Sequence, residues 1–175
     1  MRPTGWQWRS VSETERLILT DANILIDYCS VGLEILQLVS EHLAPVVVPD
    51  VVFREVRDLT EDRATSFGIT VVETPLPLLD AAQMVSSKRL SFEDRVCLEM
   101  AELKRWICAT NDKTLKRECD ARGISTVWGL ELMIRLVDSD VLTPQRAQSA
   151  ALQIHQLNPR SITATILQSF LNQIF

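Results

Sequence analysis

LILTDANILIDYC, Leu17 to Cys29, is the stretch from which the fold of this chain is read. Apolar, strand-like residues run to Thr20, Asp21 and Asn23 stand in a turn, and an apolar segment of helical length follows. This is the order of a strand that delivers a carboxylate to its own C-terminal end. In an open α/β sheet, ligands bind outside the carboxyl ends of the strands, so an acid there is better placed for chemistry than one on a helix face. The plainer alternative is that Asp21 or Asn23 only caps the helix, since both residue types are favoured caps. Other acids arriving at the same edge decide between the two.

Downstream, the same grammar recurs. Between Ile24 and Leu43 the spacing predicts a helix buried on more than one side, with Gly32 a point where it divides. Val46 to Val48 is an all-apolar run suited to a strand covered on both faces. Pro49 and Asp50 end it and open a helix carrying Val52, Val56 and Leu59 at helical spacing, with Asp50 as its cap. A crossover helix begins at the carboxyl edge of its strand, so Glu55, within two turns of that start, approaches the edge where Asp21 stands. Gly68 precedes a further strand, Ile69 to Glu73, and Leu78 to Val85 reads as a helix.

SFEDRVCLEMAELKR, Ser91 to Arg105, has capping-box spacing between Ser91 and Asp94 and an apolar face in Val96, Leu98, Met100, Ala101 and Leu103. Asp94 thus falls in the first turn of a helix, at the same edge; capping alone would also account for it. Trp106 to Thr110 is the next strand, and Asp112 behind it repeats the arrangement at Asp21. Ile124 to Val127 gives a short strand and Leu130 to Val137 a helix. Strands alternating with helices, joined by right-handed crossovers, predict a three-layer α/β/α sandwich on a mainly parallel sheet of about five strands.

Residues 1–15 read as an extension, with Trp6 and Trp8 as docking residues, and 16–138 as the α/β domain. Residues 139–175 read as a helical hairpin: one helix opened by Thr143 and Pro144 and ended by Asn158 and Pro159, and a second opened by Ser161. Packing on its own domain is the simple expectation for that hairpin; a homodimer or partner surface is the alternative.

Composition bounds the function. A chain of 175 residues fits one domain that buries about two-thirds of its unfolded surface without staples. A net charge of −5, with acids spread along the chain, argues against a cationic wrapper of DNA but not against a nucleic-acid enzyme whose acids are neutralised by metal. Cys29, Cys97, Cys108 and Cys119 form no CxxC pair and read as small buried hydrophobes in a reducing cytosol. His42 and His155 are too far apart in sequence for a soft-metal site. Neither a membrane span nor a leader peptide is expected, and the location expected is cytoplasmic.

Taken together, Asp21, Glu55, Asp94 and Asp112 come from separate parts of the chain to one rim. Two unit charges about 4 Å apart repel by roughly 4 kcal/mol at an effective dielectric near 20. A counter-cation is therefore expected, and oxygen ligands without His or Cys select Mg²⁺ or Mn²⁺ over zinc. The chemistry that follows is metal-assisted phosphodiester hydrolysis.

The order TDAN, VPDVVFREV, SFEDRVCLEMAE, ATNDKTL resembles the PIN domain family, in particular stand-alone bacterial PIN proteins such as VapC-type toxins, over Leu17 to Val127. The resemblance implies a metal-dependent ribonuclease whose acidic quartet is Asp21, Glu55, Asp94 and Asp112, with Asn23 and Thr110 as supporting polar residues. Glu93, beside Asp94, reads as a first-turn helix acid, with an assisting role at the rim as the alternative. The resemblance further implies RNA as substrate and an antitoxin protein as partner. RNA contacts would fall to Lys88, Arg89, Arg95 and Lys113, which read equally as solvated surface charges. A long N-terminal arm and the hairpin exceed a minimal toxin of this family. Two other classes fit less of the chain: an inert PIN-like module binding RNA or protein, and a phospho-accepting receiver domain. The receiver reading wants an acid where Thr20 stands.

Overall fold

The computed structural model describes residues 16–86 and 89–175. The N-terminal extension, with Trp6 and Trp8, and Lys88 therefore lie outside the described residues. In chain order the elements are β1 (Ile18–Thr20), α1 (Ala22–Val31), α2 (Glu34–His42), β2 (Val46–Pro49), α3 (Asp50–Phe53), α4 (Glu61–Ser66), β3 (Ile69–Val72) and α5 (Leu76–Met84). They continue as α6 (Phe92–Lys104), β4 (Ile107–Ala109), α7 (Lys113–Ala121), β5 (Thr126–Val127), α8 (Gly129–Asp138), α9 (Pro144–Leu157) and α10 (Ala164–Ile174).

Five strands form one sheet in the order β3-β2-β1-β4-β5, every neighbouring pair parallel. The expected three-layer α/β/α class is the observed one, with the sheet wholly rather than mainly parallel. β1 lies at the centre with Ile18 opposite both Val46 and Ile107, and its three residues are all buried. That burial is why the central strands carry unbroken apolar runs instead of an alternating pattern. Helix α6 packs on β1 and β4 and against α3, α5 and α7, while α2 packs on β2 and β3 and against α8. Because order reverses at β1, the carboxyl ends of β1 and β4 flank the crevice where such sheets take ligands.

Gly32, at φ 123°, ends α1, and α2 leaves at 118° to it. A left-handed turn of that kind admits glycine at no steric cost. No single helix among the described residues is long and apolar enough to cross a membrane.

Three local expectations are corrected and one helix is added. The helix after β2 is one turn only. From Asp50 the chain continues in tight turns, with Glu55 N–H bonded to Val52 O at 3.1 Å and Val56 N–H to Phe53 O at 3.0 Å. Val52, Val56 and Leu59 are buried as their period suggested, but the β-branched Val51, Val52 and Val56 crowd a helix and favour these turns. Asp50 is the first residue of α3 rather than its cap; its Oδ1 accepts both the N–H and the hydroxyl of Thr74, at 3.0 and 2.7 Å. Helix α4 has no apolar period to announce it: it is capped by Thr60 and buries only Ala64. Finally, α10 starts three residues later than Ser161 would place it, because Thr163 is the side chain that accepts the first-turn N–H, from Ile166.

Helix α9 rests on α1 and α8, and α10 on α8 and α9. Ala147, Ala151, Ile154, Ile162, Leu167, Phe170 and Ile174 belong to the same core cluster as the sheet residues. The hairpin is thus continuous with the main core.

Candidate active site

Asp21 is the N-cap of α1, one residue beyond β1. Its side chain is held on both oxygens: Oδ1 accepts the Ile24 N–H at 2.9 Å and Oδ2 accepts the Thr110 hydroxyl at 2.6 Å. The capping reading is therefore correct as far as Oδ1 goes. It does not account for a carboxylate only 2 % exposed, because surface caps stay hydrated. Burial, and then the fields of Asp94 and Asp27, push its pKa up to about 7 against the two hydrogen bonds that lower it.

Thr110, at the end of β4, is buried and joins Asp21 to the next acid, because its Oγ1 also accepts the Asp112 N–H at 2.9 Å. Asp112 caps α7, its Oδ1 taking the N–H groups of Thr114 and Leu115 at 2.7 and 2.8 Å. The expected parallel between Asp21 and Asp112 is real: both follow a buried strand, and both cap the next helix.

Asp94 sits in the first turn of α6 in a complete capping box. Its N–H bonds Ser91 Oγ at 3.0 Å, and its Oδ2 accepts the Ser91 N–H at 3.2 Å. Burial raises its pKa, and the charges of Asp112 and Glu93 raise it further. Glu55, exposed in the turn after α3, is also raised, by partial burial and then by Glu93 and Asp94.

A pocket of about 340 Å³ joins these pieces. Asp21, Glu55, Glu93 and Asp94 line it together with Asn23, Ser91, Ile26, Val52 and Cys97, and no Lys, Arg or His is in that lining. Three of the four expected acids thus share one cavity. Asp112 does not line it; it stands at the side, reaching the pocket through Thr110 and through its field on Asp94. Asn23 is exposed on the first turn of α1, at the pocket wall. Burial pushes the Cys97 thiol up, in keeping with its reading as a small hydrophobe; Cys108 and Cys119 are buried too, and Cys29 is partly exposed.

The residues fit a hard divalent cation in donor type and charge. Carboxylates converge from the end of β1, the turn after α3 and the start of α6, each with its pKa raised by burial and then by neighbouring acids, with no basic group lining the cavity to offset them. As placed, no three His, Cys, Asp or Glu side chains among the described residues form a ready ligand set. A cation would have to draw the exposed Glu55 and the half-buried Glu93 inward.

The expected RNA contacts are dispersed. Arg89 and Lys113 are exposed. Arg95 turns its guanidinium back onto Leu90 O, at 3.2 Å from Nε and 3.0 Å from Nη2, closing the loop before α6. A wider hollow of about 570 Å³ lies elsewhere, between α5 and α7, and is lined by Glu118 and Arg122 among others. Its Arg122 is already paired with Glu99 and Glu102, both at 2.7 Å.

Glu93 joins the pocket wall itself, the alternative that its first-turn position beside Asp94 left open. One residue escapes a reading of the sequence. Asp27, inside an apolar run, is 6 % exposed and acts on Asp21 through its charge; a single acid in a buried helix is the signal that would have found it. Compared with known protein families, with curated proteins and with solved structures, this chain matches none.

Proposed function

We propose that this chain is a divalent-metal-dependent ribonuclease of the PIN type. The observation that carries the reading is the pocket wall of Asp21, Glu55, Glu93 and Asp94, four acids drawn from three parts of the chain with no cation among the lining side chains. Asp21, Asp94 and Glu55 would hold Mg²⁺ or Mn²⁺, with Asp112 adding its charge from the side. Bound there, such a cation supplies a Lewis acid for a phosphate oxygen and a more acidic water.

The rest of the work falls to the chain. Asp21 is locked by Ile24 and Thr110 and so presents a fixed carboxylate. Ser91 fixes Asp94 in the same way. Glu55 is exposed and its pKa is raised, which suits it to orient the attacking water and take its proton. Arg89 and Lys113 remain as candidate phosphate contacts, and binding through them would weaken steeply with salt.

Cleavage of a mixed RNA pool with Mn²⁺ or with chelator tests the reading. The wild-type chain should cut only with metal, and Asp21→Asn should lose at least about a hundredfold, the scale of a lost electrostatic contact to a transition state. Equal cutting by Asp21→Asn, or cutting in chelator, would refute it. In its toxin form the reading adds an antitoxin partner, and a small upstream reading frame encoding a DNA-binding domain would support that.

Two observations favour a second reading, an inert PIN-like binding module. Asp112 spends Oδ1 on its own helix, and no ligand set is ready-made among the described residues. On that reading Mn²⁺ neither stabilises the chain nor supports cleavage.

A further inference from the structure

The turn that carries Thr110, Asn111 and Asp112 is held from a second direction, by the C-terminal hairpin. The Asn111 side-chain amide is fixed at both ends: Nδ2 donates to Asp27 Oδ2 at 3.2 Å, and Oδ1 accepts the Gly129 N–H at 3.0 Å. The other Asp27 oxygen accepts from Asn158 Nδ2 at 3.3 Å. Asn158 is itself pinned in the turn between α9 and α10, its N–H on Ile154 O at 2.8 Å and its carbonyl taking the Ile162 N–H at 3.0 Å. Tyr28, beside Asp27, closes the set by donating its hydroxyl to Gly129 O at 2.7 Å.

This is an unusual use of a buried carboxylate. Asp27 is met by two side-chain amides, and burial pushes its pKa up in spite of them. An apolar residue there would avoid that desolvation. What the carboxylate adds is geometry: it accepts at once from residues 84 and 131 positions away in the chain, one next to Asp112 and one in the hairpin.

We propose that Asp27 and Asn158 are positioning residues: through Asn111 they let the C-terminal hairpin set the turn that holds Thr110 against Asp21 and Asp112 beside the pocket. The effect on the turn stands alone; the effect on catalysis rests on the ribonuclease reading. Amide hydrogen exchange on the full metal-free chain separates the two. Asn158→Ala removes one contact from a half-buried residue, and Asp27→Asn is the second variant, placing a donor where one amide now finds an acceptor.

In both variants exchange at the Asp112 and Gly129 amides should quicken by about fivefold to tenfold, the scale of one lost hydrogen bond. The amides of β1 and β2 should be unchanged. No change at Asp112 and Gly129, or a uniform rise across the sheet, overturns the proposal. On an RNA taken from the cleaved pool, Asn158→Ala should lower kcat by about tenfold with KM unchanged, as a misplaced group does. A change confined to KM overturns the catalytic part. If the wild-type chain cuts no RNA, the ribonuclease reading falls, and exchange alone decides the positioning role.

Discussion

Thr110 Oγ1 lies 2.6 Å from Asp21 Oδ2, a buried hydrogen bond between residues 89 positions apart. The same oxygen accepts the Asp112 N–H, so one hydroxyl ties the ends of β1 and β4 together at the rim of the pocket. Thr110→Val keeps the shape and removes the hydroxyl. It leaves a buried carboxylate oxygen and an N–H without that partner, so it should cost about 1–3 kcal/mol in urea denaturation. It should also move the Asp21 pKa further up, since this bond is among those holding it down. An unchanged unfolding midpoint would mean the bond does not order the rim.

Asp21 makes the metal-free protein less stable as pH rises. With its pKa at about 7 in the folded chain, it keeps a proton between roughly pH 4 and 7 that the unfolded chain has released. Its contribution is therefore fully present below about pH 4 and is lost as pH rises through about 7, by on the order of a few kcal/mol. Asp94, Asp27 and Glu55 are shifted the same way. Thermal melts from pH 5 to pH 8 in chelator should show the decline, and Asp21→Asn should flatten it and melt higher than wild type at pH 8. The same slope in both proteins would contradict the assignment.

Much of this arrangement is legible in the residues themselves. Continuous apolar runs at β1, β2 and β4 announce buried parallel strands, and Asp21 and Asp112 advertise their place because each lies just past one. Ser91 and Asp94 are readable because a capping box is a local pattern. What is hidden depends on tertiary contacts. Nothing near Asp50 says that Thr74 will claim its carboxylate. Nothing near Asp27 names Asn111 and Asn158 as its partners. Glu93 and Asp94 are adjacent, and only the fold shows both lining the cavity.

Ser91 is the lesser of the two partners that fix an acid, and its removal should be mild. Ser91→Ala deletes the acceptor for the Asp94 N–H and should cost about 1 kcal/mol, the usual worth of an N-cap. The loss should appear as a lower midpoint in denaturant with an unchanged slope. A loss near zero would show that the Ser91 N–H contact to Asp94 is enough by itself.

Gly129 has no room for a methyl group. A Cβ there would stand 2.8 Å from Ile24 Cδ1 and 3.0 Å from Asn111 Nδ2, both in the packing behind the site. Gly129→Ala should destabilise by about 1–3 kcal/mol, as overpacking does. Calorimetry would register it as a lower melting temperature; an unchanged melt would show that Ile24 and Asn111 give way freely.

The most direct trial of a cation-binding acidic pocket is a melt of the full chain at pH 7.5 with increasing Mn²⁺. At about a hundredfold over its dissociation constant a ligand adds roughly 2.7 kcal/mol, or about 5–10 °C for a chain of this size. The wild-type protein should show that rise, and Asp21→Asn combined with Asp94→Asn should not. A wild-type melt that stays flat to millimolar Mn²⁺, or an equal rise in the double variant, would contradict the account.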